Sequence, residues 1–245
     1  MYAEIAHHAD HLNQHPLMKY FTNNHHVNSS SFAFVPKMAF FVLGFKDILA
    51  TAYTPDPQTS LDKSLNTHCE EDSHHWKWFL EDLDTLSKHH LIDGKRKFTA
   101  EAFIEETWSS SAYVVRQHTY DIISLLSNGC NAEKKLLIIE CLEAAFSVFI
   151  TNLTNMTQRA GLYNSLRYFG REHHMDEAQH SMGSWLEGNK EDEANNNDSL
   201  DVETLAIINT IFLGFNQMFD YWFSFVKRMP EGNVAYAAPN ELDLV

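Results

Sequence analysis

Cysteine is scarce in this chain. The three present, Cys69, Cys130 and Cys141, show no CxxC spacing. An odd, low count reads as reduced thiols in a cytoplasmic protein rather than a disulfide framework. Glycine and proline are also few, at 9 and 6. That argues against an all-β chain with many tight turns and for long helices. Basic side chains, 18 against 33 acidic, leave a formal charge of −15. Nucleic acid and anionic membrane surfaces are therefore poor partners, because their phosphates are repelled. No uninterrupted apolar run reaches the roughly 18 residues of a membrane span. The segment at 136–150, LLIIECLEAAFSVFI, is broken by Glu140 and Glu143. The first residues, MYAEIAHHADHLNQHP, carry no apolar signal region. Neither strand-type alternation nor an internal repeat is apparent.

What is abundant is apolar and imidazole side chains. Hydrophobic residues make up 44% of the 245, with 17 Phe, enough for a sizeable core, and there are 15 His. Helices are expected over 2–25 with a break at His15-Pro16, and from about 32 to 53 with a kink near Pro36. Another is expected over 61–86, with Trp76, Phe79, Leu80 and Leu83 on its buried side. Further helices are expected over 100–127 after Thr99, over 132–160, over roughly 162–186 with an interruption at Gly170, and over 200–228. Residues 187–200 read as an exposed polar linker. The expected architecture is all-α, a single seven-helix bundle over 1–230, with an irregular tail at 231–245.

Three pieces of this chain carry metal-type chemistry. In GREHHMDEAQHS at 170–181, His173, Glu177 and His180 stand at i, i+4 and i+7, within roughly 60° of arc on one helix face. In HCEEDSHHW at 68–76, Glu71 and His74 are one turn apart, and His75 is an alternative at i+4 from Glu71. Glu140 and Glu143 sit in an otherwise apolar helix, where a carboxylate is costly unless paired or bound to a metal. Arg116, Arg159 and Arg167 are the candidate ion-pair partners. Asp176 competes with Glu177 but leaves the arc shared by His173 and His180. Nitrogen and oxygen donors in this mixture suit iron, manganese or zinc, and three helices supplying them can build a dinuclear centre in a bundle core. Each piece also has a bland reading, a polar face on a helix of an acidic, His-rich chain.

The order E-x2-H, a Glu in an apolar helix, then H-x3-(D/E)-x2-H resembles the haem-oxygenase-like diiron oxidases. These share a seven-helix fold with haem oxygenase and the TenA and PqqC proteins, and include the CADD- and UndA-type enzymes. HPLMKYF near the start, TQRAGL and YFGREH resemble further elements of that superfamily. The likeness spans most of residues 10–225 and is specific only at the metal motif. It implies Glu71, His74, one of Glu140 and Glu143, His173, Glu177 and His180 as ligands. Glu143 is preferred because it is nearer the Gly-Leu element and is flanked by Ala144 and Ala145. Glu177 stands where the family usually has Asp. The implied activity is oxidation of a small organic substrate with O2 at two iron ions, with manganese as the alternative metal and a homodimer as a compatible assembly. The aromatic helix 200–228, Trp108 and Tyr113 are candidate pocket walls, although ordinary core packing is the simpler reading of that helix. Two other functions stay open. One is a metal-free TenA-like hydrolase using Cys130 or Cys141. The other is a non-catalytic ligand- or partner-binding protein of the same fold.

Overall fold

A computed structural model describes residues 1–23, 27, 31–92, 99–179 and 200–227, with side chains up to Met175 before the second long gap. Among the described residues the chain is all helical. The α-helices are α1 (Tyr2–Asn13), α2 (Pro16–Asn23), α3 (Ala39–Ala52), α4 (Ser60–Asp72), α5 (His75–Lys88), α6 (Ala100–Trp108), α7 (Tyr113–Ser127), α8 (Ala132–Arg159), α9 (Arg171–Gln179) and α10 (Val202–Lys227). The expected linker at 187–200 lies outside the described residues except at its last position, as does the tail at 231–245.

Helix α8 is the axis. Its residues from Leu136 to Ala145 are all buried, so it is enclosed on every side there, as a helix apolar all round must be. Helices α1, α2, α4, α7, α9 and α10 pack against it, and α3 packs across α7, α4 and α5. By length and composition α8 and α10 could cross a membrane, but 72% of the α8 window is buried inside this bundle. Asn131 caps the start of α8 by accepting from Lys134 N at 2.9 Å. Gly161, at φ +68°, ends it in the left-handed conformation that glycine adopts without a Cβ penalty. At the expected break, His15 Nδ1 accepts from Leu17 N at 3.0 Å, and its Nε2 reaches Asp220 of α10 at 3.3 Å. The chain's beginning is thereby tied to its last described helix.

Among the described residues the helices outnumber the seven expected: the expected break at His15-Pro16 divides the first into α1 and α2, and two further expected helices are split. Residues 61–86 form α4 and α5, separated at Ser73 and His74, where Ser73 Oγ donates to Glu70 O at 2.8 Å. Residues 100–127 form α6 and α7, separated by a run of serines. There Ser109 Oγ accepts from Ala112 N, and Arg116 donates to the carbonyls of Thr107 and Ser109. Hydroxyls that bond nearby backbone offer it an alternative to the helix.

The helix that carries His173 also starts later than expected. Residues 162–170 form turns, and α9 begins only at Arg171. A Cβ on Gly170 would lie 2.0 Å from Leu166 O and 2.4 Å from Tyr163 O, so this turn closes only around a glycine.

Candidate metal centre

The site lies where α4 and the start of α5 face α8 and α9. The buried residues of α4 include Leu65, His68, Cys69 and Asp72, at i, i+3, i+4 and i+7. The buried face of α5 runs His75, Trp78, Phe79, Asp82, Leu83 and Leu86. These phases decide which polar groups enter the core. Asp72 and His75 face inward, whereas Glu71 and His74 are exposed. Of the expected buried side, Phe79 and Leu83 are buried, but the face is turned by about one position: Leu80 is exposed and Trp76 only partly covered. One residue of error is about 100° of helix, enough to exchange Glu71 and His74 for Asp72 and His75.

Three ligand-type atoms converge in the core. His68 Nε2 lies 3.2 Å from Asp72 Oδ2 and 3.2 Å from Glu143 Oε1. All three residues are buried, and their donor atoms lie within 4.8 Å of one another. The other oxygen of Asp72, Oδ1, is 3.7 Å from His75 Nδ1. One carboxylate therefore addresses two histidines, one on each of its oxygens. The His75 ring stacks on Trp78 and meets the His173 ring edge-on, with centroids 4.4 Å apart. His173 is 2% exposed, and its Nδ1 lies 3.0 Å from Tyr168 O. A carbonyl cannot donate, so Nδ1 carries a proton, and in the neutral ring the lone pair is then on Nε2.

Asp72, His75, Glu143 and His173 line one cavity of about 40 Å³, whose remaining wall is largely apolar: Phe41, Val42, Phe45, Leu142, Phe146 and Phe215. Lys46, exposed on α3, also lines it. Of the two glutamates in the apolar helix, Glu143 joins this cluster. Glu140 is 1% exposed and lies outside the group of converging donors. Of the three arginines considered as ion-pair partners, Arg167 pairs with Glu81 and Glu172 on the surface, Arg116 bonds the carbonyls between α6 and α7, and Arg159 donates to Phe21 O. The buried part of α10 does pack the core, through Phe212, Phe219 and Trp222, and contributes Phe215 to the cavity. Trp108 and Tyr113 are more than half exposed and take no part in it. The Glu177 side chain and all of His180 lie outside the described residues, as does the Asp176 side chain.

Two members of this cluster were missed in sequence, His68 and Asp72. Their signal was there: His68-x3-Asp72-x2-His75 repeats the 0, 4, 7 offsets of His173-x3-Glu177-x2-His180. The thiols show no activation. Burial, aided by the nearby Asp72 carboxylate, pushes Cys69 up to about 12. Burial also raises Cys130 and Cys141. Neither a protein-family model nor a curated protein matches the chain, so the reading of this site rests on its geometry.

Proposed function

We propose that this cavity is the metal centre of an O2-using oxidoreductase, a non-haem diiron oxidase of haem-oxygenase-like fold acting on a small organic substrate. The observation that carries the reading is the convergence of His68, Asp72 and Glu143 in the core, with Asp72 turned toward His75 through its second oxygen. The donor set fits the metal. Metal–ligand bonds of about 2.0–2.2 Å place neighbouring ligand atoms roughly 3 Å apart, and His68 stands 3.2 Å from each carboxylate. Two buried carboxylates beside one imidazole are costly, and a bound cation offsets that cost. Nitrogen and oxygen donors without a thiolate suit iron or manganese.

In this reading His68, Asp72 and Glu143 hold one ion. His75 and His173 would hold a second, and the sequence motif adds Glu177 and His180 as the remaining candidates. Asp72 and Glu143 line the same cavity as His75 and His173, which supports treating the four as one set of candidate ligands. Iron held there supplies O2 activation. The chain's own residues do the rest. Tyr168 O fixes the proton of His173 on Nδ1, and the phenylalanines keep bulk water out. A cavity of about 40 Å³ suits ions with ordered water or O2, so an organic substrate enters only as the aromatic wall moves. The raised thiols weigh against a cysteine nucleophile.

A mononuclear centre is the second reading, favoured by the single cluster of converging donors among the described residues. Anaerobic Fe(II) titration of the purified protein separates the two by stoichiometry. About two ions per chain are expected for the dinuclear centre. One ion supports the mononuclear reading, and no stoichiometric binding ends both. Oxygen consumption by the loaded protein is the accompanying test of the oxidase activity.

A further inference from the structure

Asp82 is a buried acid with no place in the donor set. It lies on α5, 1% exposed, and spends both oxygens on the turn ahead of α9. Oδ1 accepts from Arg167 N and Oδ2 from Phe169 N, each at 2.8 Å. The peptide unit between Tyr168 and Phe169 carries the Phe169 N–H on one side and the Tyr168 C=O on the other. Because that unit is planar and trans, its N–H and C=O point in opposite directions. Its N–H meets Asp82, and its C=O meets His173 Nδ1 at 3.0 Å. Both ends of one peptide plane are thus held.

We infer that Asp82 is a positioning residue for His173, acting through the Tyr168–Phe169 peptide. The relay runs from the carboxylate to the N–H, across the peptide to the C=O, and on to the imidazole Nδ1–H. Hydrogen bonds in such a chain polarise one another, so a carboxylate at one end makes the carbonyl a stronger acceptor at the other. The proton stays on Nδ1, so that in the neutral ring Nε2 is the nitrogen able to bind a metal, and His173 lines the cavity. Metal-bound histidines commonly receive this support from a carboxylate or a carbonyl in direct contact; here the two are in series. Gly170 completes the device, since a side chain there would collide with the carbonyls of Leu166 and Tyr163 and reopen the turn. The inference rests on the proposal that His173 is a metal ligand, but its first consequence needs no metal.

That consequence is the tautomer of His173. Nitrogen–proton correlation spectra of the histidine rings in metal-free protein, with His173→Gln to assign the signal, are expected to show the proton on Nδ1. A proton on Nε2 overturns the relay whatever any variant does. In Asp82→Asn one acceptor is replaced by a donor, and the tautomer balance of His173 is expected to shift toward Nε2–H. Fe(II) affinity is expected to fall roughly ten- to a hundred-fold, the usual cost of losing outer support of a ligand. Affinity is measured at low temperature, where circular dichroism confirms that the variant is folded. Unchanged tautomer and affinity in folded Asp82→Asn sink the relay while leaving the metal centre intact. Failure of the wild type to bind Fe(II), with the tautomer as expected, instead sinks the metal centre and leaves the relay standing as a structural device.

Discussion

Two helix crossings in this bundle each bury a histidine, and they do so in opposite ways. At the crossing of α4 and α8, His68 is 2% exposed and lies between two carboxylates. Where α7 packs on α10, His118 is 3% exposed and lies between aromatic rings. Phe41 stacks on it at 6° between planes, and Phe215 meets it edge-on with centroids 4.8 Å apart. Gly214 makes room for it; a Cβ there would fall 1.9 Å from His118 Nδ1. Desolvation alone lowers His118 to about 4. A buried imidazole is thus no sign of a metal site in itself. The distinguishing feature is the carboxylates that share its space.

The comparison breaks most readily at Glu143. Glu143→Ala is expected to remove the stabilisation that iron adds, about 2.7 kcal/mol when free Fe(II) is a hundred times its Kd. Melting with and without Fe(II) reads this directly, and a variant with the wild-type iron shift would reduce the α4–α8 crossing to the same status as the α7–α10 one. Glu140→Ala is the companion and is expected to keep the shift.

His118 sets an effect of similar size. Its folded value near 4 lies below the ordinary 6.5, so the unfolded chain binds the proton more readily between those values. Stability from this residue is whole above about pH 6.5 and is lost as pH falls toward 4. The loss reaches on the order of 3 kcal/mol. His118→Leu keeps an apolar fit and removes the titration, so its stability relative to wild type should rise by that amount between pH 7.5 and pH 4. Urea melts at the two pH values measure the difference. A constant difference would mean that His118 is protonated as easily in the fold as outside it.

The smallest effects sharpen the phase of α4 and α5. Glu71→Ala and His74→Ala are expected to stay within about 0.5 kcal/mol of wild type, as exposed substitutions do, and to keep Fe(II) binding. Asp72→Ala and His75→Ala are expected to lose it. The opposite pattern would rotate the segment back to the reading made from sequence.

Most of the helical plan was legible, because apolar periodicity, Thr99, Asn128-Gly129 and Gly161 mark ends by local chemistry. Glu143 was legible too, since a carboxylate in a run of Leu, Ile and Ala stands out. His68 and Asp72 were not, and His75 stood only as the alternative to His74, because a row of adjacent polar residues leaves rotation undetermined, and a helix read straight through Ser73 carries its phase error onward. His118 gave no signal. Its burial is decided by Phe41, Gly214 and Phe215, residues that only the tertiary fold brings to it.

The tie between His15 and Asp220 spans 205 residues, and both α1 and α2 pack on α8 and α10. On the ribosome these first helices lack their α8 and α10 partners until much of the chain has been made. At roughly 5–20 residues per second, the interval from His15 to Asp220 is about 10–40 s. Throughout it the α10-facing side of these helices, His15 included, stays uncovered, although Phe21 gains Phe34 and Phe149 earlier. A protein whose first helices are closed by its last is one whose yield in the cell depends on what shelters its beginning until its end has emerged.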